Sequence, residues 1–258
     1  MRHQPRKRFG QHFLIDNNVI EAIVAAIRPA HGDHLVEIGP GLGALTRSLI
    51  AAAGRLVAIE IDRDLAAALE KECGEALTLH RADVLKFDFT ALGNDLRIVG
   101  NLPYNISTPL LFHLADCAHR IRDIHVMLQR EVVARMVAAP SESNYGRLSV
   151  MLQYRFGLEK IFEVPASAFQ PVPQVDSAVV RLTPLMPLRE PACNEALFAR
   201  IVAAAFSQRR KTLRNSLGKF IAEAEFAEVA LAPTARAQDL SVAQFVALAR
   251  YVSRRNAH

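Results

Sequence analysis

A glycine-rich turn at residues 37–43, Glu-Ile-Gly-Pro-Gly-Leu-Gly, constrains the fold of this chain more than any other segment. The apolar run Leu35–Ile38 leads into it as a buried strand, and Ala44–Ala53 after it has the pattern of a helix. Glycines let the backbone approach a ligand closely, and the first N–H groups of a helix favour a ligand at the strand end. The turn alone is a weak indicator, because unrelated loops also contain glycines in this spacing.

A second acid strengthens the case for a ligand. Glu60 ends the next apolar strand, about 20 residues further on, where an acid commonly binds a ribose diol. Glu37, on the approach to the turn, suits a cofactor that carries an ammonium group better than one that carries a diphosphate. S-adenosylmethionine meets this description. Asp83, at the end of the third strand, is either a ligand of the adenine amino group or only a turn cap.

Short apolar runs alternate with helical segments through the first half of the chain, which predicts a mostly parallel sheet covered on both faces. Strands without helices between them at 158–164 and 177–183 predict an antiparallel edge. Pro184, Pro187 and Pro191 mark a linker, and the pattern after it is helical. The predicted strands are 35–38, 56–61, 77–80, 97–99 and 124–128, and the predicted helices begin at Asp16, Ala44, Asp62 and Ser107, with another through Val137. The later predicted helices are 195–205, 212–218, 223–231 and 242–253.

The fourth predicted strand ends in Asn101-Leu102-Pro103-Tyr104, at the edge where ligands bind. The Asn101 side-chain oxygen and the Leu102 carbonyl can accept the two N–H bonds of an exocyclic amine on a base, which turns its lone pair towards a methyl donor. Pro103 stiffens the loop, and Tyr104 offers an aromatic face to an extruded base. A strand-ending bend is the alternative, but the neighbouring nucleoside signature favours methylation of the amine.

Positive charge is concentrated in two short segments. The net charge is +5, yet without nine residues of these segments the chain has 22 basic and 26 acidic residues. A run of charge is usually a solvated surface, but no acid lies between Phe206 and Phe220, which favours contacts with nucleic-acid phosphates. The nine residues are Arg2, Arg6, Lys7 and Arg8 near the N-terminus, and Arg209, Arg210, Lys211, Arg214 and Lys219 on a predicted helix.

Other classes of protein fit poorly. Cys73, Cys117 and Cys193 are far apart, which predicts neither a disulfide framework nor a zinc site and favours a reducing compartment. No apolar run suits a signal peptide or a membrane span, so a cytoplasmic protein is expected, and nothing demands more than a monomer. Histidines such as His31 and His34 lack matching acid or cysteine ligands, so no metal site is predicted.

Taken together, these motifs resemble the ribosomal RNA adenine dimethyltransferase family, most closely its small-subunit (16S) branch. The resemblance implies an α/β fold, a Rossmann-like class I methyltransferase sheet with helices on both faces, followed by a small all-α C-terminal domain. The expected divisions are 1–183 for the cofactor domain with its basic N-terminal arm, 184–191 for a Pro-rich linker and 192–258 for a helical RNA-contacting domain. The matching motifs are 6–14, the glycine turn, 60–62, 101–109, 129–133, 145–149, 169–177 and 206–217.

The resemblance also implies roles for individual residues. Phe169, in a Phe-x-Pro-x-Pro motif, would face Tyr104 across the target adenine, unless it is a core aromatic. His12 stands where relatives often have Asn, and Arg81-Ala-Asp83-Val is a loose version of the family's Gly-Asp-Ala pattern. The implied catalytic residues are Asn101, Leu102, Pro103, Tyr104 and Phe169, and the implied RNA contacts are Arg6, Lys7, Arg8, Arg209, Arg210, Lys211 and Arg214. The implied cofactor contacts are Gln11, His12, Leu14, Glu37, Gly39, Gly41, Glu60, Ile61, Asp83, Val84 and Asn101.

The implied activity is dimethylation, by S-adenosylmethionine, of N6 of two adjacent adenosines in a hairpin near the 3′ end of 16S ribosomal RNA, as part of ribosome biogenesis. One alternative is a large-subunit (23S) adenine methylase, although segments 145–149 and 205–217 favour the small-subunit type. A second is an assembly factor whose main role is binding immature subunits. A third is a nicotinamide oxidoreductase.

Overall fold

The computed structural model describes residues 12–185, 191–192, 194–208 and 210–256. The chain divides into two compact units. The first contains Met1–Val133 and Gly157–Pro184, and the second contains Ala134–Phe156 and Leu185–His258. Most of the predicted linker, the N-terminal basic residues, Gln11, Cys193 and Arg209 lie outside the described residues.

The elements follow one another in the order predicted for an alternating fold. The first part contains β1 (Phe13–Leu14), α1 (Asn17–Ile27), β2 (His34–Ile38), α2 (Ala44–Ala53), β3 (Leu56–Glu60), α3 (Arg63–Cys73), β4 (Leu77–Arg81), β5 (Leu96–Asn101), α4 (Ser107–Asp116) and β6 (Ile121–Gln129). The second part contains α5 (Arg130–Val137), α6 (Arg147–Arg155), β7 (Phe156–Val164), β8 (Phe169–Gln170), β9 (Ser177–Pro184), α7 (Glu195–Ala205), α8 (Leu213–Leu217) and α9 (Val242–Arg255).

Seven strands form one sheet in the order β4-β3-β2-β5-β6-β9-β7, and β1 pairs with β8 in a separate two-stranded sheet. The strands from β4 to β6 are parallel, and β9 runs antiparallel to β6, which confirms the predicted mixed sheet. In this sheet β3 lies on one side of β2 and β5 lies on the other, so the strand order reverses at β2. Such a reversal of strand order opens a crevice at the carboxyl ends of the strands, where ligands bind in this class of sheet.

Local signals determine where the first helices begin and end. The Asp16 carboxylate accepts hydrogen bonds from the N–H groups of Asn18 and Val19, so α1 begins where the sequence predicts it. Asp62 caps α3 in the same way. Gly54 ends α2 with φ of 85°, a left-handed conformation that glycine adopts without strain. Because the helices end at these residues, the loops that connect them to the strands lie at the edges of the sheet.

A buried ion cluster joins the strands at the edge opposite the crevice. The Arg97 guanidinium of β5 donates to Asp33, at 2.6 Å, and to Asp123 of β6, at 2.8 Å. It also donates to the carbonyl of Ile27 at the end of α1. Removing one partner of such a cluster leaves a buried charge uncompensated, which costs about 3–5 kcal/mol. The cluster therefore holds β5 and β6 in the register that brings their carboxyl ends together.

The second unit has an apolar core of its own, which includes Phe198, Phe226 and Phe245. Tyr145 belongs to this core, and its hydroxyl donates to the carbonyl of Leu240 at 2.9 Å. The chain of 134–156 therefore packs in the second unit, although its position in the sequence placed it in the first. The predicted boundary at residue 183 describes only the second of the two segments that build this unit.

Two local predictions differ from the structure, and one helix was not predicted. Helix α6 was not predicted, because residues 145–149 were interpreted only as a family motif. Residues Glu223–Val229 form a 3-10 helix instead of an α-helix. The basic residues after Phe206 do not share one helix, since α8 is only five residues long and contains only Arg214 of that group. No helix in the described part of the chain is both long and apolar enough to cross a membrane.

Candidate active site

A cavity of about 230 Å³ lies at the carboxyl ends of β2, β3, β4 and β5, within the first unit. Of the predicted catalytic and cofactor residues that the structure describes, all except Phe169 line this cavity. They are His12, Leu14, Glu37, Gly39, Gly41, Glu60, Ile61, Asp83, Val84, Asn101, Leu102, Pro103 and Tyr104. Lining residues that the sequence analysis did not single out are Phe13, Ile38, Pro40, Leu42, Ala44, Leu45, Ile59, Ala82, Leu85, Asn105 and Ile106.

The glycine turn forms one wall of the cavity. Gly39, Gly41 and Gly43 have φ angles of 66°, 58° and 80°, a region that other residues adopt only with strain. The Gly39 N–H donates to the carbonyl of Ile59, which ties the turn to the end of β3. The Phe13 ring packs so closely on Gly41 that a Cβ there would lie 3.2 Å from two ring carbons. The turn therefore needs glycine both for its backbone and for the segment that covers it.

Two buried carboxyl groups, Glu37 and Glu60, face the same cavity and differ in their hydrogen bonds. Glu60 accepts from the N–H groups of Gly41 and Asp62, at 3.2 and 2.9 Å. Glu37 is 2% exposed and accepts from the Thr46 hydroxyl, at 2.7 Å. Burial raises the pKa of Glu37 to about 7, and the nearby Glu60 contributes to the rise. Because none of the described residues that line the cavity is a Lys or Arg, these acids suit a cationic ligand and disfavour a diphosphate.

The far end of the cavity contains Asp83 and apolar side chains. Asp83 caps the short 3-10 helix Val84–Lys86, with its Oδ1 accepting from the Leu85 N–H at 3.0 Å. The cap uses one carboxylate oxygen, so the second remains available to an amino group of a ligand. Ile61 is 47% exposed beside the cavity and offers an apolar surface to a flat ring. The two explanations for Asp83 are therefore compatible.

Asn101 and Tyr104 stand at the end of β5, opposite the acids. The Asn101 amide nitrogen donates to the carbonyl of His12 at 3.0 Å, which leaves its oxygen free to accept a hydrogen bond from a ligand in the cavity. Tyr104 is held by its hydroxyl, which hydrogen-bonds with the Ser177 hydroxyl at 2.8 Å. Desolvation raises the pKa of Tyr104, so its phenol stays neutral at physiological pH.

The segment that carries His12 is tied to this site through more than its backbone. The His12 ring stacks on Tyr104 with ring centroids 5.7 Å apart, and its Nδ1 lies 2.7 Å from the carbonyl oxygen of Pro171. Leu14 is buried in the apolar core of the first unit. His12 and Leu14 thus lie on one side of the cavity, where the family resemblance implies them, and Gln11 lies outside the described residues.

Phe169 does not line the cavity that Tyr104 lines. Its side chain is 1% exposed and packs in the apolar core of the first unit, beside Leu14. The reason lies in the pairing of β8 with β1, which sets Phe169 opposite Leu14. This burial favours the core-aromatic alternative, and a position opposite Tyr104 across the target adenine stays a prediction.

Ser177 and Gly100 are important to the site and were not predicted. Ser177 is fully buried and anchors Tyr104, but in the sequence it was only the last residue of the family motif 169–177, with no role assigned to it. A Cβ on Gly100 would lie 2.6 Å from the carbonyl oxygen of Ile38, so only glycine fits beside the glycine turn. A glycine inside an apolar strand is a known indicator of such close approach, and it was available in the sequence.

The basic residues of the second unit are partly paired. Arg214 forms an ion pair with Glu223 at 3.1 Å, which corrects the expectation that no acid balances this group. Arg210, Lys211 and Lys219 are exposed, and the described residues show no carboxylate within ion-pair distance of them. In the described ranges there is also no group of three or more His, Cys, Asp or Glu side chains that could hold a metal ion.

Comparisons with known proteins place this arrangement among RNA methyltransferases. The sequence model described as ribosomal RNA adenine dimethylase matches residues 2–254. Ribosomal RNA small subunit methyltransferase A of Thiobacillus denitrificans is 58% identical over 254 residues, covering 98% of this chain and 100% of that protein. The protein of the same name from Aromatoleum aromaticum is 56% identical over 252 residues, covering 97% and 95%.

Two solved structures share the fold over nearly their whole length. A dimethyladenosine transferase from Plasmodium falciparum superposes with a TM-score of 0.81 at 24% identity, covering 95% of this chain and 98% of that one. The 23S rRNA methyltransferase ErmE superposes with a TM-score of 0.72 at 26% identity, covering 93% and 99%. The Rossmann-like methyltransferase fold expected from the sequence is confirmed.

Proposed function

The chain belongs to the ribosomal RNA adenine dimethylase family, and from that premise we propose that it methylates N6 of two adjacent adenosines in the RNA of the small ribosomal subunit. The observation that carries the proposal is the single cavity lined by both Glu37 and Glu60 and by Asn101–Tyr104. The residues expected to bind a nucleoside cofactor and the two acceptors for a base amine therefore line one cavity, as methyl transfer to that amine requires.

The cavity fits S-adenosylmethionine as methyl donor. The described residues that line it include two buried acids and no Lys or Arg, which suits a ligand that carries a sulfonium and an ammonium group and no phosphate. We assign Glu37 and the glycine turn to the amino acid end, Glu60 to the ribose hydroxyls, and Asp83 with Ile61 to the adenine. When bound, S-adenosylmethionine supplies a methyl group that is already activated for transfer.

The residues of the chain then position the target amine. The Asn101 amide is oriented by its bond to the His12 carbonyl, so that its oxygen accepts an N–H of the adenine amine. The Leu102 carbonyl accepts the second N–H, and Pro103 restricts the backbone between them. Tyr104 stacks on the extruded base. Both acceptors favour a more tetrahedral nitrogen, and positioning with exclusion of water replaces a strong general base.

Incubation of unmethylated small subunits with the protein and labelled S-adenosylmethionine tests the proposal. We expect label in the RNA and dimethyladenosine among its nucleosides by mass spectrometry. Primer-extension stops then separate small-subunit from large-subunit targets, which is the distinction from a 23S adenine methylase. Absence of label from both subunit RNAs would contradict the proposed activity.

The affinity for S-adenosylmethionine is expected to rise with pH because of Glu37. Its pKa of about 7 means that the carboxyl group is mostly protonated at pH 6 and half ionised at pH 7. Since a cationic ligand prefers the ionised form, the dissociation constant should fall about fivefold between pH 6 and pH 7. Isothermal titration calorimetry measures both this change and the accompanying proton release. Glu37→Gln should bind more weakly with a flat pH profile, and an equally steep profile in that variant would exclude Glu37 as the cause.

We further propose that the basic segments hold the ribosomal RNA by its phosphates, with Arg6, Lys7 and Arg8 in the N-terminal arm and Arg209, Arg210, Lys211 and Arg214 in the second unit. Exposed cations without a carboxylate partner bind phosphates at the lowest cost, because no existing ion pair has to break. Among the described members of this set, Arg210 and Lys211 meet that condition and Arg214 does not.

Lys211→Ala should weaken binding to small subunits and lower its dependence on salt. One lost phosphate contact reduces the slope of log affinity against log salt by about 0.7–0.9. Filter binding at several salt concentrations measures the slope. Lys71→Ala, which removes an exposed lysine from α3, is the matched control and should leave the slope unchanged. Equal slopes for the Lys211 variant and the wild type would place this residue outside the RNA contact.

A further inference from the structure

Tyr104 is held by three contacts, two to its side chain and one to its backbone. Its hydroxyl hydrogen-bonds with the Ser177 hydroxyl at 2.8 Å, and its backbone carbonyl accepts from the Ser107 hydroxyl at 3.0 Å. The His12 ring lies against its face, with the two planes 26° apart. A half-buried tyrosine in a loop has two freely rotating side-chain angles, and these contacts fix both of them.

Residues 169–177 make one of the two side-chain contacts directly and support the other through His12. Ser177 opens β9 opposite Gln129 of β6, and it is fully buried, so its hydroxyl has a fixed place. Pro171 acts through His12, since its carbonyl oxygen lies 2.7 Å from the His12 Nδ1. A carbonyl can only accept, so Nδ1 must carry the proton of that bond. The segment thus contacts Tyr104 directly at one end and through an imidazole at the other.

We propose that Ser177 and His12 are positioning residues for the target base, and that the Phe-x-Pro-x-Pro segment acts on Tyr104 through them. Ordering the Tyr104 ring in advance removes an entropy cost that base binding would otherwise bear. The inference rests on the proposed function, because it assumes that Tyr104 stacks on a substrate base.

A double-mutant cycle tests the Ser177 contact. Ser177→Ala and Tyr104→Phe each remove one partner of the same hydrogen bond, so each should lower kcat for methyl transfer to small subunits about fivefold. The double variant should be no slower than either single variant. The KM for subunits should stay unchanged, since attachment depends on charge elsewhere. Effects that multiply to about 25-fold in the double variant would show that Ser177 acts on something other than Tyr104, and would overturn the assignment.

Variants of His12 test the second contact. His12→Ala should lower kcat about tenfold even when S-adenosylmethionine is saturating, so that a change in cofactor affinity cannot explain the loss. His12→Asn keeps an N–H for the Pro171 carbonyl, and His12→Phe keeps the ring, so each should recover part of the loss. An unchanged or higher kcat in His12→Ala would overturn the positioning role. A loss confined to cofactor affinity would also overturn it, because it would place the side chain on the cofactor.

Ser149→Ala provides the matched control for the loss of a buried serine hydroxyl. Ser149 is fully buried in the second unit and donates to the carbonyl of Arg135. Its variant should lose thermal stability comparably to Ser177→Ala but keep its kcat. Wild-type protein is included as a control in every assay. If the wild type itself transfers no methyl group, the proposed function has failed; if it transfers and the cycle is additive, only this inference has failed.

Discussion

Asn101→Ala is expected to reduce the rate of methyl transfer about 100- to 1,000-fold while small subunits still bind. The side chain supplies an acceptor aimed at the reacting amine, and loss of one such preorganised hydrogen bond typically costs this much in kcat. The truncation also removes the donor to the His12 carbonyl, so a smaller loss of cofactor affinity should accompany it. Transfer of labelled methyl groups under single-turnover conditions measures the first effect, and subunit binding is measured separately.

Asn94→Ala is the matched control for this variant. Asn94 is exposed before β5, at the edge of the sheet opposite the cavity, where its oxygen accepts from Arg120. Its variant should transfer methyl groups within about twofold of wild type. Should Asn101→Ala lose subunit binding as well, the cavity would serve attachment rather than chemistry, and an assembly factor would become the better description. Retained transfer would remove Asn101 from the catalytic set.

Gly100→Ala is expected to lower the free energy of unfolding by about 2–4 kcal/mol, or the melting temperature by roughly 10 °C. The added Cβ would lie 2.6 Å from the carbonyl oxygen of Ile38, a backbone atom that cannot move aside alone. Relief requires β5 and β2 to separate where the glycine turn begins. Cofactor affinity should therefore fall together with stability, and calorimetry can follow both.

Gly146→Ala separates this steric effect from the general cost of replacing a glycine. Gly146 has an extended φ of −168°, and a Cβ there would meet nothing within 4 Å. Its variant should melt within a few degrees of wild type. Recovery of Gly100→Ala only as aggregate would agree with the prediction. A soluble Gly100→Ala protein with wild-type melting temperature and cofactor affinity would refute it.

The sequence allowed most of the α/β unit to be predicted, because its signals are local. Asp16, Asp62 and Gly54 act within their own helix ends, and the glycine turn requires only its neighbouring strand and helix. The carboxyl ends of parallel strands then meet at one edge by topology alone. This is why the acids and the Asn101 loop were expected at one site and are found there.

What could not be predicted depends on contacts between distant segments. Phe169 resembles an exposed motif aromatic until the pairing of β8 with β1 turns it into the core. The anchoring of Tyr104 joins positions 73 residues apart, and no local pattern records such a hydrogen bond. Arg214 was expected to have no acidic partner, because Glu223 lies just beyond the stretch 206–220 that contains no acid. In each case tertiary structure decides what a side chain faces.

The two-segment origin of the second unit limits how the protein can be recombined. Every described residue that lines the cavity belongs to the first unit, so the chemistry and the helical unit are encoded by different stretches of chain. A chimera cut only at residue 184 would nevertheless leave 134–156 with a foreign partner. Tyr145 would lose the Leu240 carbonyl, and Tyr154 would lose the Ala192 N–H that its hydroxyl accepts. An exchange of the second unit between relatives therefore has to transplant 134–156 and 185–258 as a pair, and divergence in one segment has to be matched in the other.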